Sequence, residues 1–262
     1  RSALQGWLER NLSVTALARN VRHLDREQGI QMTRAALQTD QHIAQVSLQA
    51  TDLSLINQAD AMGLLQGHDT VWHCAAKSSP WGRFDDFYAA NVHATEQLAQ
   101  AAGKTGVHTF VHISTPSLYF DFQSRHNIPE SFVPQRFANF YAQTKWLAEQ
   151  KILQAAADYP ATQYIMLRPR APFGEHRGVL MPRLLQLGRS GGGVFKLPRG
   201  GEVLMDLTYA GNVVQAMLLA STSPHIASGS VFNITNQEPW HLKTVLEQLF
   251  AGMDKRMTGM SV

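Results

Sequence analysis

Short apolar runs of strand character alternate with stretches of helical spacing, and this alternation constrains the fold more than any other feature of the chain. LSVTALAR (12–19), HIAQVSLQA (42–50), DTVWHCAA (69–76), HTFVHIST (108–115) and TQYIMLRP (162–169) read as strands. Residues 1–10, 52–66, 84–103 and 138–158 read as helices, and Phe87, Asn91, Ala94, Leu98, Ala101 and Ala102 recur along one of them at helical spacing. Strands joined through helices by short connections run parallel, with helices on both faces. The expected fold class is therefore α/β, a doubly wound parallel sheet.

After Pro169 the pattern changes. Residues 170–207 are rich in Gly, Pro and Arg and carry only one short helical stretch, near 180–188. A helix over 208–222, a strand at GSVFNIT and a final helix at LKTVLEQLFAGM follow. The expected division is a core over 1–169 and a smaller substrate-binding lobe over 170–262, with about 208–235 returning to the core. A dinucleotide-binding sheet of this kind opens on a strand and a glycine-rich turn, where a helix N-terminus meets the pyrophosphate. The sequence contains no GxGxxG or GxxGxxG, and Gly191–Gly193 do not follow a strand. The first strand and its turn are expected to precede Arg1, leaving the core N-terminally incomplete.

Composition excludes several classes. A chain of 262 residues, 44% hydrophobic and 16% charged, can bury a sizeable core and does not read as disordered. Its net charge of +3 comes from scattered residues without a dense basic run, so no nucleic-acid partner is expected. Cys74 is the sole cysteine, which rules out an intrachain disulfide, and it is expected to be a small buried residue. His108 and His112 stand four apart, but on a strand that spacing separates them by ~13 Å, so no metal site is expected. There is no uninterrupted apolar run of the ~18 residues that a membrane span needs, and no signal peptide opens the chain. The expectation is a cytoplasmic protein without a membrane span.

NFYAQTKWLAEQKIL (139–153) puts Tyr141 and Lys145 one helical turn apart. An aromatic and a basic residue on a helix surface are the bland reading. Upstream, however, the strand in HISTPSLY ends in Ser114 and Thr115, and ligands of open α/β sheets bind at the carboxyl ends of strands. A phenol titrates near ~10, and a neighbouring ammonium favours the phenolate. Bringing it to ~7 takes about 4 kcal/mol of differential stabilisation. A hydroxyl beside it would orient a carbonyl or alcohol oxygen. Such a set suits hydride transfer between a nicotinamide and a carbon bearing oxygen.

In order, TVWHCAAK, NVHATEQLAQAA, FVHISTPSLY, YAQTK, LRPRAPFG and DLTYAGNVVQAM resemble the motifs of the extended short-chain dehydrogenase/reductase family, within the NAD-dependent epimerase/dehydratase superfamily. AAKSSPWG and STPSLY are most similar to its 3β-hydroxysteroid dehydrogenase-like and β-keto acid reductase-like branch. The resemblance implies a Rossmann-type core with Tyr141 as proton donor or acceptor. It makes Lys145 the residue that lowers the pKa of Tyr141 and holds the nicotinamide ribose. Thr115 matches the catalytic hydroxyl, with Ser114 the competing choice. Asp52 and Leu53 match the pair that contacts adenine, and Ala75, Ala76 and Lys77 line the cofactor cleft. Asn91 matches a helix position beside it, and Pro169 with Ala171 the backbone near the nicotinamide amide. Arg19, where an acidic residue would bind the ribose of NAD, suits the 2′-phosphate of NADP, which makes NADP the preferred cofactor over NAD. Ser78, Trp81, Phe173 and Met205 are candidate substrate-pocket residues.

Plain structural roles compete at several of these positions. Thr115 reads also as a strand-end cap, Asp52 as a helix N-cap and Asn91 as a partner for buried backbone. Lys77 and Arg19 read also as solvated charges. The expected function is an NAD(P)-dependent oxidoreductase interconverting a secondary alcohol and a ketone on an apolar small molecule, of 3β-hydroxysteroid or β-keto acid type. Arg168, Arg170, Arg177 and Arg183 open a second reading, a nucleotide-sugar epimerase or dehydratase whose diphosphate they would grip. A non-catalytic dinucleotide-sensing protein is the third. The resemblance also implies a homodimer formed through the helix at 84–103 and the one bearing Tyr141.

Overall fold

Apolar runs without polar alternation predict strands buried on both faces, and the middle of the sheet is built that way. The computed structural model describes residues 13–19, 46–79, 81–174, 195–196, 201–251 and 260–261. In chain order the strands are β1 (Val14–Ala18), β2 (Val46–Ala50), β3 (Thr70–His73), β4 (Thr109–Ile113), β5 (Gln163–Pro169), β6 (Pro172–Phe173), β7 (Phe195–Lys196), β8 (Leu204–Asp206), β9 (Thr208–Tyr209), β10 (Ser230–Ile234), β11 (Pro239–His241) and β12 (Met260–Ser261). β3, β4 and β5 pair in parallel, with Val71 opposite Phe110 and Phe110 opposite Tyr164, and β10 lies beyond β5. β1 and β2 form a second parallel pair, Val14 opposite Val46 and Ala18 opposite Ala50. This parallel α/β arrangement is the doubly wound class that the sequence predicts.

Phe110 of β4 and Tyr164 and Met166 of β5 pack with Leu98, Ala99 and Ala102 of the helix Ala94–Thr105 and Ile152 and Ala155 of the helix Phe140–Asp158. The small residues let helix and sheet approach closely. A Cβ at Gly103 would lie 2.2 Å from Cγ of Tyr159, so only glycine lets that aromatic ring close the end of the neighbouring helix. Gly106 then stops the helix in the left-handed conformation, φ 75°, with its N–H on the Ala102 carbonyl.

Two helices differ from the sequence reading. The stretch 52–66 breaks into a 3-10 turn, Leu53–Leu55, and a helix, Gln58–Leu65. Asp52 caps the first through Ser54 N–H and Asn57 caps the second through Asp60 N–H, so two competing caps split one helical pattern. The stretch 84–103 runs on to Thr105, but its middle, Tyr88–His93, is π-helical and carries Asn91. Cys74 corrects another expectation: it is exposed, because β3 ends at His73 and leaves Cys74 past the strand's carboxyl end.

The chain divides into two compact units, one of residues 1–169 with 214–233 and one of residues 170–213 with 234–262. In the second, β6 pairs with β9 in parallel, β8 with β11 antiparallel and β7 with β12 in parallel. There Thr208 donates from its hydroxyl to the carbonyls of Arg170, at 2.6 Å, and Ile234, at 3.0 Å. Among the described residues, no helix is long and apolar enough to cross a membrane. The helical stretches at 1–10 and near 180–188, Gly191–Gly193, Arg177 and Arg183 lie outside the described residues.

Candidate active site

β4 delivers the site. Beyond Ile113 the Ser114 N–H donates to the Leu167 carbonyl at 2.7 Å, which carries the β4–β5 ladder one residue further. The Ser114 hydroxyl is buried and has no hydrogen-bond partner among the described residues. Thr115, in extended conformation, caps the 3-10 turn Pro116–Tyr119: its oxygen accepts from Ser117 N–H at 3.1 Å, and its hydroxyl donates to Ser117 Oγ at 3.0 Å. The cap does not exhaust Thr115, whose side chain also lies near enough to the Tyr141 phenol to favour its ionised form.

The helix Phe140–Asp158 starts where Asn139 accepts from Ala142 N–H at 2.9 Å, which puts Tyr141 in its first turn and Lys145 one turn on. Burial pushes the Tyr141 phenol above its usual value, and the Thr115 side chain only partly offsets this. The sequence reading expects the reverse, a phenol lowered by Lys145. The lysine is not aimed that way. Its Nζ lies 2.7 Å from His112 Nε2 and 2.8 Å from the Ile113 carbonyl, which draw it into the sheet. Burial pulls the amine itself down to about 7, against the opposing charges of Glu149 and Cys74. The group whose pKa is brought close to neutral pH is Lys145.

Asn91 fixes the segment after β3. Its Oδ1 accepts from Lys77 N–H at 2.7 Å, and its Nδ2 donates to the Lys77 carbonyl at 3.1 Å and to Thr144 Oγ1 at 3.0 Å. One side chain thus ties that segment to the helix of Tyr141. Ala75 and Ala76 are exposed just before it, and Lys77 Nζ pairs with Asp86 at 2.9 Å. At the carboxyl ends of β1 and β2, Arg19 and Asp52 come close enough to interact. Ser54, through its hydroxyl and its N–H, holds the Asp52 carboxyl below its usual range, and Arg19 adds to this. Leu53 opens the turn that Asp52 caps.

The remaining candidates are more scattered. Pro169 ends β5 and is buried, while Ala171 is left-handed at φ 39°. Ser78 is exposed and Trp81 is 83% exposed. Phe173 stands 6.0 Å from Tyr209, ring to ring, and Met205 sits in β8 opposite Trp240, both within the second unit. Arg168 is corrected outright as a ligand grip. It is buried, its Nε and Nη2 meet the two Glu149 carboxylate oxygens at 2.9 and 2.5 Å, and its Nη1 donates to the Glu130 carbonyl and Tyr119 Oη. Arg170 is exposed. No cluster of three metal-ligating side chains occurs among the described residues.

The residues that sequence reasoning missed are His112 and Glu149. The available signal for His112 was its place two residues before Ser114, on the same face of the strand. Glu149 stands one helical turn after Lys145.

The donor set fits a dinucleotide. An acidic residue and an arginine stand at adjacent strand ends, an exposed Ala-Ala segment follows β3, and an unpartnered buried hydroxyl, Ser114, neighbours Thr115. The chain also matches known proteins. The family model described as "NAD dependent epimerase/dehydratase family" matches residues 4–235. Uncharacterized protein YbjS of Escherichia coli is 42% identical over 200 residues, covering 76% of this chain and 59% of that protein. The 2-alkyl-3-oxoalkanoate reductase of Shewanella oneidensis is 30% identical over 207 residues, covering 75% of this chain and 53% of that protein. Thus the chain spans somewhat over half the length of these relatives. The solved structure of MoeE5 in complex with UDP-glucuronic acid and NAD shares the fold, with TM-score 0.77 at 22% identity, over 99% of this chain and 80% of that one. The motifs, the parallel sheet and the family match together make this chain a member of the NAD-dependent epimerase/dehydratase family.

Proposed function

We propose that the protein is an NAD(P)-dependent oxidoreductase that interconverts a secondary alcohol and a ketone on an apolar small molecule, of 3β-hydroxysteroid or β-keto acid type. The observation that carries this reading is the Thr115 side chain set where it acts on the Tyr141 phenol, with the wholly buried Lys145 amine one helical turn away along the helix. The family's dinucleotide supplies the hydride when bound. Tyr141 moves the proton at its phenolic oxygen, and Thr115 orients the substrate oxygen beside it. A phenol held above its usual value stays protonated at neutral pH, which suits it to donate a proton as a carbonyl is reduced.

Lys145, Asp52 with Leu53, the Ala75–Lys77 segment fixed by Asn91, Ser114, Pro169 and Ala171 are the proposed cofactor contacts. Arg19 favours NADP over NAD through its charge at the end of β1. The name of the reductase relative supports the ketone reading, and the capture of Arg168 by Glu149 removes one of the arginines that a sugar diphosphate would need. The second unit is the proposed substrate lobe, and Ser78, Trp81, Phe173 and Met205 are the proposed substrate residues. A homodimer is the proposed assembly.

The test is a steady-state assay of the intact protein with NADPH and NADH against hydrophobic ketones and β-keto acids, beside UDP-sugars. Net oxidation of the reduced cofactor with the ketones alone supports the reading. Sugar isomerised without net cofactor turnover would replace it with the epimerase reading, and no binding of either dinucleotide by calorimetry would leave a protein without this chemistry.

A further inference from the structure

Lys145 and His112 form a buried pair for which the proton transfer at Tyr141 gives no account. Lys145 is 1% exposed and His112 0%. Nζ and Nε2 lie 2.7 Å apart, and the Ile113 carbonyl takes a further N–H of the amine at 2.8 Å. The titratable groups facing the pair are few. Glu149 comes from the helix of Lys145, with its carboxylate held by Arg168 of β5, and His73 and Cys74 come from β3 and its end. The rings of His73 and His112 stand 5.1 Å apart.

The two histidines differ in their partners. The Thr95 hydroxyl donates to the Asn91 carbonyl at 2.6 Å, so its oxygen accepts from His73 Nε2–H at 2.9 Å and fixes the His73 tautomer. His112 has no such anchor, because its Nδ1 is buried and meets no hydrogen-bonding group among the described residues. Burial, with Lys145 and His73 nearby, keeps this imidazole neutral, and a neutral imidazole carries a single N–H. Over an ammonium, Nε2 must accept, and the ring proton sits on Nδ1. Over a neutral amine, Nε2–H donates to the Nζ lone pair, and no donor is stranded.

We propose that His112 is a positioning residue whose tautomer switches with the charge of Lys145, Nδ1–H opposite the ammonium and Nε2–H opposite the amine, so that β4 keeps hold of the lysine in both states. The proposal rests on the reading of Lys145 as a site residue only for its consequence. Lys145 then gives up and regains a proton without leaving the sheet, and no second charge is buried with it.

The test uses the unmodified protein without dinucleotide or substrate, labelled with ¹⁵N in its histidine and lysine side chains. NMR spectra between about pH 5.5 and 9.5 read the tautomer of His112 and the charge of Lys145 directly. The His112 signals, assigned by their loss in His112→Asn, are expected to pass from the Nε2–H to the Nδ1–H pattern as pH falls. The midpoint should match that of Lys145, and in Lys145→Met the switch should vanish. One fixed tautomer throughout, a His112 that becomes imidazolium, or midpoints more than about one pH unit apart would overturn the proposal. If carbonyl reduction is found but the tautomer never moves, this inference alone fails. If the tautomer moves but no oxidoreduction is found, the functional reading alone fails.

Discussion

Glu149 stands one helical turn beyond Lys145, and Arg168 takes both of its carboxylate oxygens, at 2.9 and 2.5 Å. A carboxylate so close would by itself hold the lysine firmly protonated; here its charge is already matched by a guanidinium. The same arginine meets Tyr119, whose hydroxyl donates to Asn233 at 2.8 Å, and the Glu130 carbonyl. The pair thus joins β5, the Tyr141 helix and the turn that follows Thr115.

Breaking that pair from one side leaves Glu149 buried and uncompensated. Arg168→Leu is expected to destabilise the protein by about 3–5 kcal/mol, measured by urea unfolding at neutral pH. A loss below about 1 kcal/mol would mean that the pair is solvated in solution.

Buried His73 and His112 predict acid sensitivity. Burial first, then the Lys145 charge, takes His73 to about 3 from an ordinary 6.5, and His112 moves the same way. Between those values the unfolded chain binds protons that the folded one refuses, so stability falls as pH drops from 6.5 toward 3. Each histidine contributes up to about 1.4 kcal/mol per pH unit to that slope. Lys145, depressed to about 7 from 10.5, gives a separate rise in stability as pH climbs from 7 toward 10.5. Urea midpoints across pH 4–10 should show both limbs, and His73→Asn should flatten only the acid one.

The central strands were legible because β4 and β5 are buried on both faces and need unbroken apolar runs. The breaks in the helices were not. Whether residues 52–66 form one helix or two depends on which backbone N–H Asp52 and Asn57 cap, and the π turn at Tyr88–His93 carries the Asn91 that fixes Lys77. The Tyr141–Lys145 spacing showed which residues share a helix face but not where the amine points. That is decided by two partners on β4, the His112 ring and a backbone carbonyl that no sequence pattern marks. Thr115 reads as a cap and as a site residue; it caps the turn Pro116–Tyr119, and its side chain lies near the Tyr141 phenol.

Thr115 and Ser114 are competing candidates for the orienting hydroxyl, and the Tyr141 contact favours Thr115. Thr115→Val should lower kcat by about 10²-fold, with the KM for the dinucleotide little changed. Ser114→Ala should lower kcat by less than about tenfold. The reverse ranking would move the role to Ser114.

The central claim is that the Tyr141 hydroxyl carries the proton in carbonyl reduction. Its most direct measurement is single-turnover reduction of a β-keto acid or hydrophobic ketone by Tyr141→Phe with a reduced nicotinamide dinucleotide already bound. A fall in rate of about 10²–10⁴-fold, with dinucleotide affinity retained, is the predicted result. A rate equal to that of the unmodified protein would contradict the account.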